Sequence, residues 1–276
     1  MISLFSFLLI FLFGLTLGSF LNCLIYRFEV GENFLRGRSY CPHCKHILSW
    51  RDLIPVFSFI ILKGECRYCK KPISWQYPLV ELTTAILFLA IFIFQLPSVS
   101  EGEEEIYLFA FNFLNLIYYW TIACFLIIIF VYDLKHYIIP DKIIYPAIGT
   151  AFIYNILNSY PFVIHNSYSI VNSLESAFIV SAFFLAIILI SRGKWMGLGD
   201  VKLAFFMGLF FGFPNILFAL FLAFSIGAII GIGLIISGKK TLKSEVPFGP
   251  FLVAGTFIAL FWGQAIIDWY LNLLFL

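Results

Sequence analysis

The chain is 276 residues long, 62% hydrophobic and 12% charged, with a mean hydropathy of +1.00 and a formal net charge of +2. A soluble globular domain carries about a quarter charged residues, so this composition excludes one and implies a polytopic membrane protein. The apolar runs are long, which makes the spans helical, and the alternating pattern of a β-barrel is missing. Membrane lipid is therefore an expected partner, and no nucleic acid is expected.

In chain order the apolar runs cover residues 3–26, 79–97, 106–132, 142–158, 171–191, 200–212, 214–237 and 250–276. Each is near the roughly 20 residues needed to cross a bilayer, except 200–212. The expected fold is an all-α membrane protein of about eight transmembrane helices. The 200–237 region, punctuated by Gly208, Gly212 and Pro214, fits either a single long hairpin or a tilted short helix. The first run has no basic start and no evident small-residue cleavage site, and its end "GSFLNCLIYR" at 18–27 meets an Arg. It reads as a retained helix rather than a signal peptide. All 17 Lys and Arg lie in or beside the segments 27–78, 133–141, 192–199 and 238–249. The alternate loops carry none, and one of them is the acidic "EGEEE" at 101–105. Lys and Arg mark cytoplasmic loops, so these four segments face the cytoplasm and both termini face out.

The longest polar segment holds "CPHC" at 41–44 and "CRYC" at 66–69, spaced C-x2-C-x21-C-x2-C. Four thiolates in two knuckles are what a tetrahedral zinc site requires. A cytoplasmic loop is reducing, which argues against disulfides. The expected ligands of one structural zinc are Cys41, Cys44, Cys66 and Cys69, with His43 and His46 as substitutes that four cysteines make unnecessary. Cys23 and Cys124 lie in spans and read as packing residues. About 50 residues make too little core to fold alone, so a metal would supply much of the loop's stability. Between the knuckles, "LSWRDLIPVFSFIILKG" is apolar but too short to span. It either packs over the zinc or lies along the membrane surface.

Asp200, in "WMGLGDVKLAFF", stands where a glycine-rich turn meets an apolar run. Charge beside hydrocarbon is costly and usually functional. Among the acidic residues in or bordering spans, topology places Asp133, in "FVYDLKHYIIPD", at the same inner depth, whereas Glu175 and Asp268 fall toward the opposite side. Asp141 follows Pro140 and reads as a helix cap. Asp133 has a bland reading as a snorkelling charge beside Lys135 or His136, and Asp200 has one as a cap. Two close carboxylates share a proton. One can then draw a proton from water while the other polarises a carbonyl, which is peptide hydrolysis without a covalent intermediate. Gly197 and Gly199 would let an extended substrate backbone approach Asp200.

These segments together resemble the type IV prepilin peptidases, membrane aspartyl proteases of the GxGD class. "GSFLNCLIYR" is similar to the family's first-helix signature, and "RSYCPHCKHILSWRDLIPVFSFIILKGECRYCKKPIS" to its zinc loop. "YPLVEL" follows at 77–82, then "DLKHYIIPD", "MGLGDVKL" and, at 247–255, "PFGPFLVAG". Gln76 stands where the family usually has Arg, and Glu29 where Pro often follows "YR". The resemblance implies that Asp133 and Asp200 are the catalytic pair. It implies removal of the leader from prepilins or pseudopilins at the cytoplasmic face of the bacterial inner membrane. It also implies N-methylation of the new amino terminus with S-adenosylmethionine, for which no residues are named. The domain reading is a first transmembrane helix at 1–26, a zinc-binding loop domain at 27–78 and a transmembrane peptidase domain at 79–276. Two alternatives use the same aspartates. A general GxGD intramembrane protease also fits "VYD" at 131–133, although the zinc loop argues against it. A proton- or cation-coupled transporter would place the aspartates on an ion path, but no inverted repeat supports it.

Overall fold

A computed structural model describes residues 4–33, 37–95, 105–159, 170–238 and 246–274. The acidic segment 101–104, Arg36 and the basic residues Lys239, Lys240 and Lys243 lie outside the described residues, so the orientation read from them does too. The described chain is helical. Its long helices are α1 (Leu4–Val30), α3 (Gln76–Phe94), α4 (Glu105–His136), α5 (Asp141–Ser159), α6 (Ile170–Ser191), α7 (Leu198–Phe211), α8 (Asn215–Ile236) and α9 (Gly249–Leu274). A short 3-10 turn at Trp50–Leu53 and the short helix α2 (Phe57–Ile61) lie between α1 and α3. Each of the eight apolar runs is thus a helix. Six of them, α1, α3, α4, α6, α8 and α9, are long and apolar enough to cross a membrane. The other two differ for physical reasons. α7 has 14 residues, about 21 Å at 1.5 Å per residue against a hydrocarbon core of about 30 Å. α5 is interrupted by Lys142, Pro146, Thr150 and Asn155.

The chain divides into two compact units at Ile127/Ile128, within α4. In the first, α1 packs along α3. The approach is close because Gly18 has no side chain: a Cβ there would come within 2.6 Å of Glu81 Cα. The two helices are also hydrogen-bonded to each other, and the loop between them is tied to both, on the α1 side by Arg27 donating to Gly37 O at 2.8 Å. Asn22 of α1 donates to Tyr77 O at 3.0 Å and accepts from Gln76 Nε2 at 3.3 Å. Buried Glu81 of α3 accepts the Val56 N–H at 2.7 Å, just ahead of α2.

In the second unit α7 is the central element, packed by α5, α6, α8 and α9. Leu203, Ala204, Phe206 and Met207 are fully buried. A continuous apolar run of this kind belongs in an interior. Gly208 lets α6 approach so closely that a Cβ would meet the backbone of Ala177. Ser176 donates to the Gly208 carbonyl at 2.8 Å. Asn155 of α5 donates to Leu209 O at 2.9 Å and accepts from Ser173 of α6 at the same distance. Small and polar residues hold membrane helices together where apolar contact alone gives no preference over lipid.

Candidate functional site

The four cysteines of the loop converge. Their sulfurs all lie within 4.8 Å of one another, and Cys41 Sγ is 3.9 Å from Cys69 Sγ. A tetrahedron of thiolates at about 2.3 Å from a zinc ion has edges of about 3.8 Å, so the cluster fits that ion. Each knuckle is the same local structure. Cys41 N–H donates to His46 O and Lys45 N–H to Cys41 O, both at 2.9 Å. Cys66 N–H donates to Lys71 O at 2.9 Å and Lys70 N–H to Cys66 O at 3.0 Å. Lys45 and Lys70 take the left-handed conformation, φ 58° and 56°, that turns the chain back after each second cysteine. Burial opposes ionisation of Cys41, but the backbone N–H groups of Cys44 and His43 together with the Cys66 and Cys44 thiols outweigh it and lower the thiol to about 7. His46 does not join the sulfurs: it packs against the Tyr68 ring, with centroids 3.7 Å apart and the rings tilted by 36°.

Asp52 ties the segment between the knuckles to the second one. Its carboxylate accepts Arg67 Nε at 2.7 Å, and Ser49 Oγ and N at 2.8 and 3.1 Å. Burial raises the carboxyl, but Arg67 and Ser49 outweigh it and hold it below the usual range. The apolar side chains of this segment point outward: Trp50 is 70% exposed and Ile61 71%, with Phe57 and Ile60 also exposed. Of the two expectations for this stretch, such a surface matches contact with the membrane better than packing over the metal.

In the second unit Asp133 and Asp200 line one cavity of about 420 Å³. Asp133 sits on the last turn of α4, and Tyr137 just after it takes the left-handed region, φ 58°. Asp200 is the third residue of α7, and its Oδ2 accepts the Gly197 N–H at 3.3 Å. Its capping reading is therefore realised, at the cavity wall. Asp133 is only 4% exposed, so it is not a snorkelling surface charge; it lies against the backbone of Gly249 at the start of α9. Tyr137, Trp195, Met196, Pro247 and Phe248 complete much of the wall.

Asp141 also borders the cavity, but as an exposed group. In place of the expected backbone cap, its carboxylate takes Lys202 Nζ at 2.5 Å. The two glycines before Asp200 also differ from each other. A Cβ on Gly197 would meet nothing nearer than 3.9 Å, so its flank is open to an approaching chain. A Cβ on Gly199 would lie 3.0 Å from the Ile139 Cβ. The missing side chain of Gly199 is taken up by Ile139. The sequence pattern pointed to neither Gly249 nor Lys202 as a neighbour of the carboxylates. A Gly-Pro pair at the head of an apolar run signals a helix start, but its contact with Asp133 is made only by the tertiary fold.

A family profile described as the bacterial peptidase A24 N-terminal domain matches residues 12–95, which contain all four clustered cysteines. The profile of the type IV leader peptidase family matches residues 120–232, which contain both aspartates. The prepilin leader peptidase/N-methyltransferase of Aeromonas hydrophila is 30% identical over 290 residues, covering 96% of this chain and 94% of its own. That of Bacillus subtilis strain 168 is 31% identical over 268 residues, covering 96% and 98%. That of Legionella pneumophila is 29% identical over 291 residues, covering 97% and 95%. No solved structure matches the chain at a significant level. With relatives at this identity aligned over nearly their whole length, and with the two profiles meeting the cysteine cluster and the paired carboxylates in turn, the chain belongs to the type IV leader peptidase family.

Proposed function

We propose that this protein is a membrane aspartyl endopeptidase that removes the leader peptide of type IV prepilins or pseudopilins, with Asp133 and Asp200 as the catalytic pair. The observation that carries this reading is the placement of both carboxylates on one cavity at the ends of apolar helices. Two carboxylates close enough to repel each other share a single proton. The ionised one takes a proton from water, and the water oxygen attacks the scissile carbonyl. The protonated one hydrogen-bonds the carbonyl oxygen and then passes its proton on as the amine departs. The open flank of Gly197 admits an extended substrate backbone beside Asp200.

The protein also N-methylates the amino terminus that cleavage creates, and S-adenosylmethionine supplies the methyl group. The dyad cavity and the cysteine cluster provide acid–base and metal-binding groups, so no step of the hydrolysis runs through that donor. Zinc is the metal for Cys41, Cys44, Cys66 and Cys69, and its part is to fix the loop 27–78 as a small domain between the helix at 1–26 and the peptidase portion at 79–276. The protein resides in the bacterial inner membrane, with about eight spans, both termini outside and the cavity on the cytoplasmic side. α5 and the short α7, enclosed by its neighbours, complete the count.

Incubating the purified protein with a prepilin, with and without labelled S-adenosylmethionine, tests the activity. The expected result is leader release in both cases and label on the mature amino terminus in one. A prepilin left intact would refute the reading. Cysteine labelling in intact cells tests the topology. A cysteine at Gly102 should react with an impermeant reagent and one at Lys240 should not.

A further inference from the structure

The N-terminus of α9 is where the fold meets the reacting groups. The first residues of a helix have N–H groups with no partner inside the helix. In α9 these are Gly249, Pro250, Phe251 and Leu252. Pro250 has no N–H. Phe251 and Leu252 both donate to Phe248 O, at 3.0 and 3.2 Å. The Gly249 N–H remains, and the Gly249 backbone lies directly against the Asp133 carboxylate, a group on another helix. The contact leaves no room for a side chain. A Cβ on Gly249 would lie 2.5 Å from Asp133 Oδ2, 3.1 Å from its Cγ and 3.4 Å from Ile139 Cδ1. The backbone therefore touches the carboxylate directly, and only glycine permits it. Ile139 is itself buried and also fills the space left by Gly199, so one apolar side chain wedges between the two glycines that flank the aspartates.

We propose that Gly249 is a positioning residue for hydrolysis: its N–H fixes the direction of the Asp133 carboxylate toward the cavity, and its missing side chain keeps that carboxylate in reach of Asp200. This rests on the reading of Asp133 and Asp200 as the catalytic pair. Asp200 is oriented within its own helix by the Gly197 N–H. Asp133 stands at the trailing end of α4, where backbone N–H groups are already used, so its orientation has to come from another element. α9 supplies it. A misplacement of about 1 Å in a reacting group costs on the order of 10²-fold in rate, and a Cβ at Gly249 forces a shift of that order.

The test is Gly249→Ala in the full-length protein, purified in detergent or nanodiscs and assayed on a prepilin. The expected outcome is a fall in kcat on the order of 100-fold, with KM, zinc content and thermal midpoint near those of the wild type. Gly255→Ala is the control. It lies on the same helix, and its Cβ would come 2.5 Å from Ala219 O, away from the aspartates. It should lower the thermal midpoint while the folded enzyme keeps its kcat. A second readout needs no activity. Labelling Phe carbonyl carbon and Gly nitrogen selects three amides, those of Gly14, Gly212 and Gly249. One of the three should shift in Asp133→Ala, because that change removes the acceptor. Wild-type kcat in Gly249→Ala overturns the proposal. So does a loss explained wholly by unfolded protein when no Phe–Gly amide responds to Asp133→Ala. An active Asp133→Asn would instead refute the catalytic pair itself. A dead Asp133→Asn beside a normal Gly249→Ala would refute only the role of Gly249.

Discussion

In the cysteine loop two short knuckles, 25 positions apart, repeat each other hydrogen bond for hydrogen bond. Around them the larger apolar side chains stay exposed. In the second unit the two aspartates are 67 positions apart and nothing repeats. There the partners meet because α7 is packed by four neighbouring helices, which approach on glycine and serine contacts. In the proposed reading, a metal held by the four sulfurs supplies the loop's order. The cavity draws its order from packing. A metal removed should therefore undo the one and spare the other.

That contrast is broken most forcefully at the cysteines. Structural zinc contributes roughly 10–16 kcal/mol of binding free energy in small domains. The wild type should carry one zinc per chain, and the Cys41→Ser/Cys44→Ser double variant none. Amide exchange should then lose its protection across residues 40–73, while α6 to α9 keep theirs. Unchanged zinc, or equal deprotection of α7, would erase the distinction between the two regions.

The cavity is broken at its carboxylates. Asp133→Asn and Asp200→Asn should each reduce prepilin cleavage on the order of 10²–10⁴-fold, because an amide neither takes up nor releases the shared proton. Zinc content should stay at the wild-type level in both. A variant that lost zinc as well as cleavage would show that the two sites are not held by separate means.

The same contrast explains what the sequence made legible. The knuckles are local, so C-x2-C spacing alone named all four sulfurs that the fold brings together. The helices were legible because each apolar run is long, down to the short one at α7. The pairing of Asp133 with Asp200 was legible through charge topology, which places span ends at a common depth. What was not legible depends on which helix faces touch. Nothing in the spacing says that Gly249 meets Asp133, that Gly199 admits Ile139, or that Asp141 takes Lys202 rather than capping its own helix. Glycine and aspartate each serve several local roles, and the neighbour decides among them.

Packing can be weakened without touching the chemistry. Gly208→Ala places a Cβ within 2.6 Å of the Ala177 backbone nitrogen, in a contact with no flexible group to give way. Overpacking of this kind costs about 1–3 kcal/mol. The thermal midpoint of the second unit should fall, and cleavage by the molecules that remain folded should persist. The cysteine loop should keep its metal. A wild-type midpoint would mean that α6 and α7 can separate freely, and the account of α7 as the tightly held centre would fail.

The smallest effect is expected at Asp141, and it sharpens the assignment of roles most. Asp141 and Asp133 both border the cavity, so residue type alone does not choose between them. Their surroundings do. Asp133 is buried against the α9 backbone, whereas the Asp141 side chain is 60% exposed and paired with Lys202, itself 28% exposed. The Lys202 ammonium also lies 5.0 Å from the Tyr145 ring centre, which anchors it to α5 whether or not the carboxylate is present. An exposed pair of this kind is worth about 0–1 kcal/mol. It is screened further by salt. Asp141→Asn removes the charge but keeps an oxygen that Lys202 can still donate to. Cleavage should therefore fall by no more than about fivefold, the rate equivalent of 1 kcal/mol. Stability should change within the same limit. The difference from the wild type should shrink as salt is raised, which a proton-transfer defect would not do. If Asp141→Asn were as inactive as Asp200→Asn while fully folded, the exposed carboxylate rather than the buried one would be the partner of Asp200. The burial of Asp133 would then be a packing feature of α4 and α9.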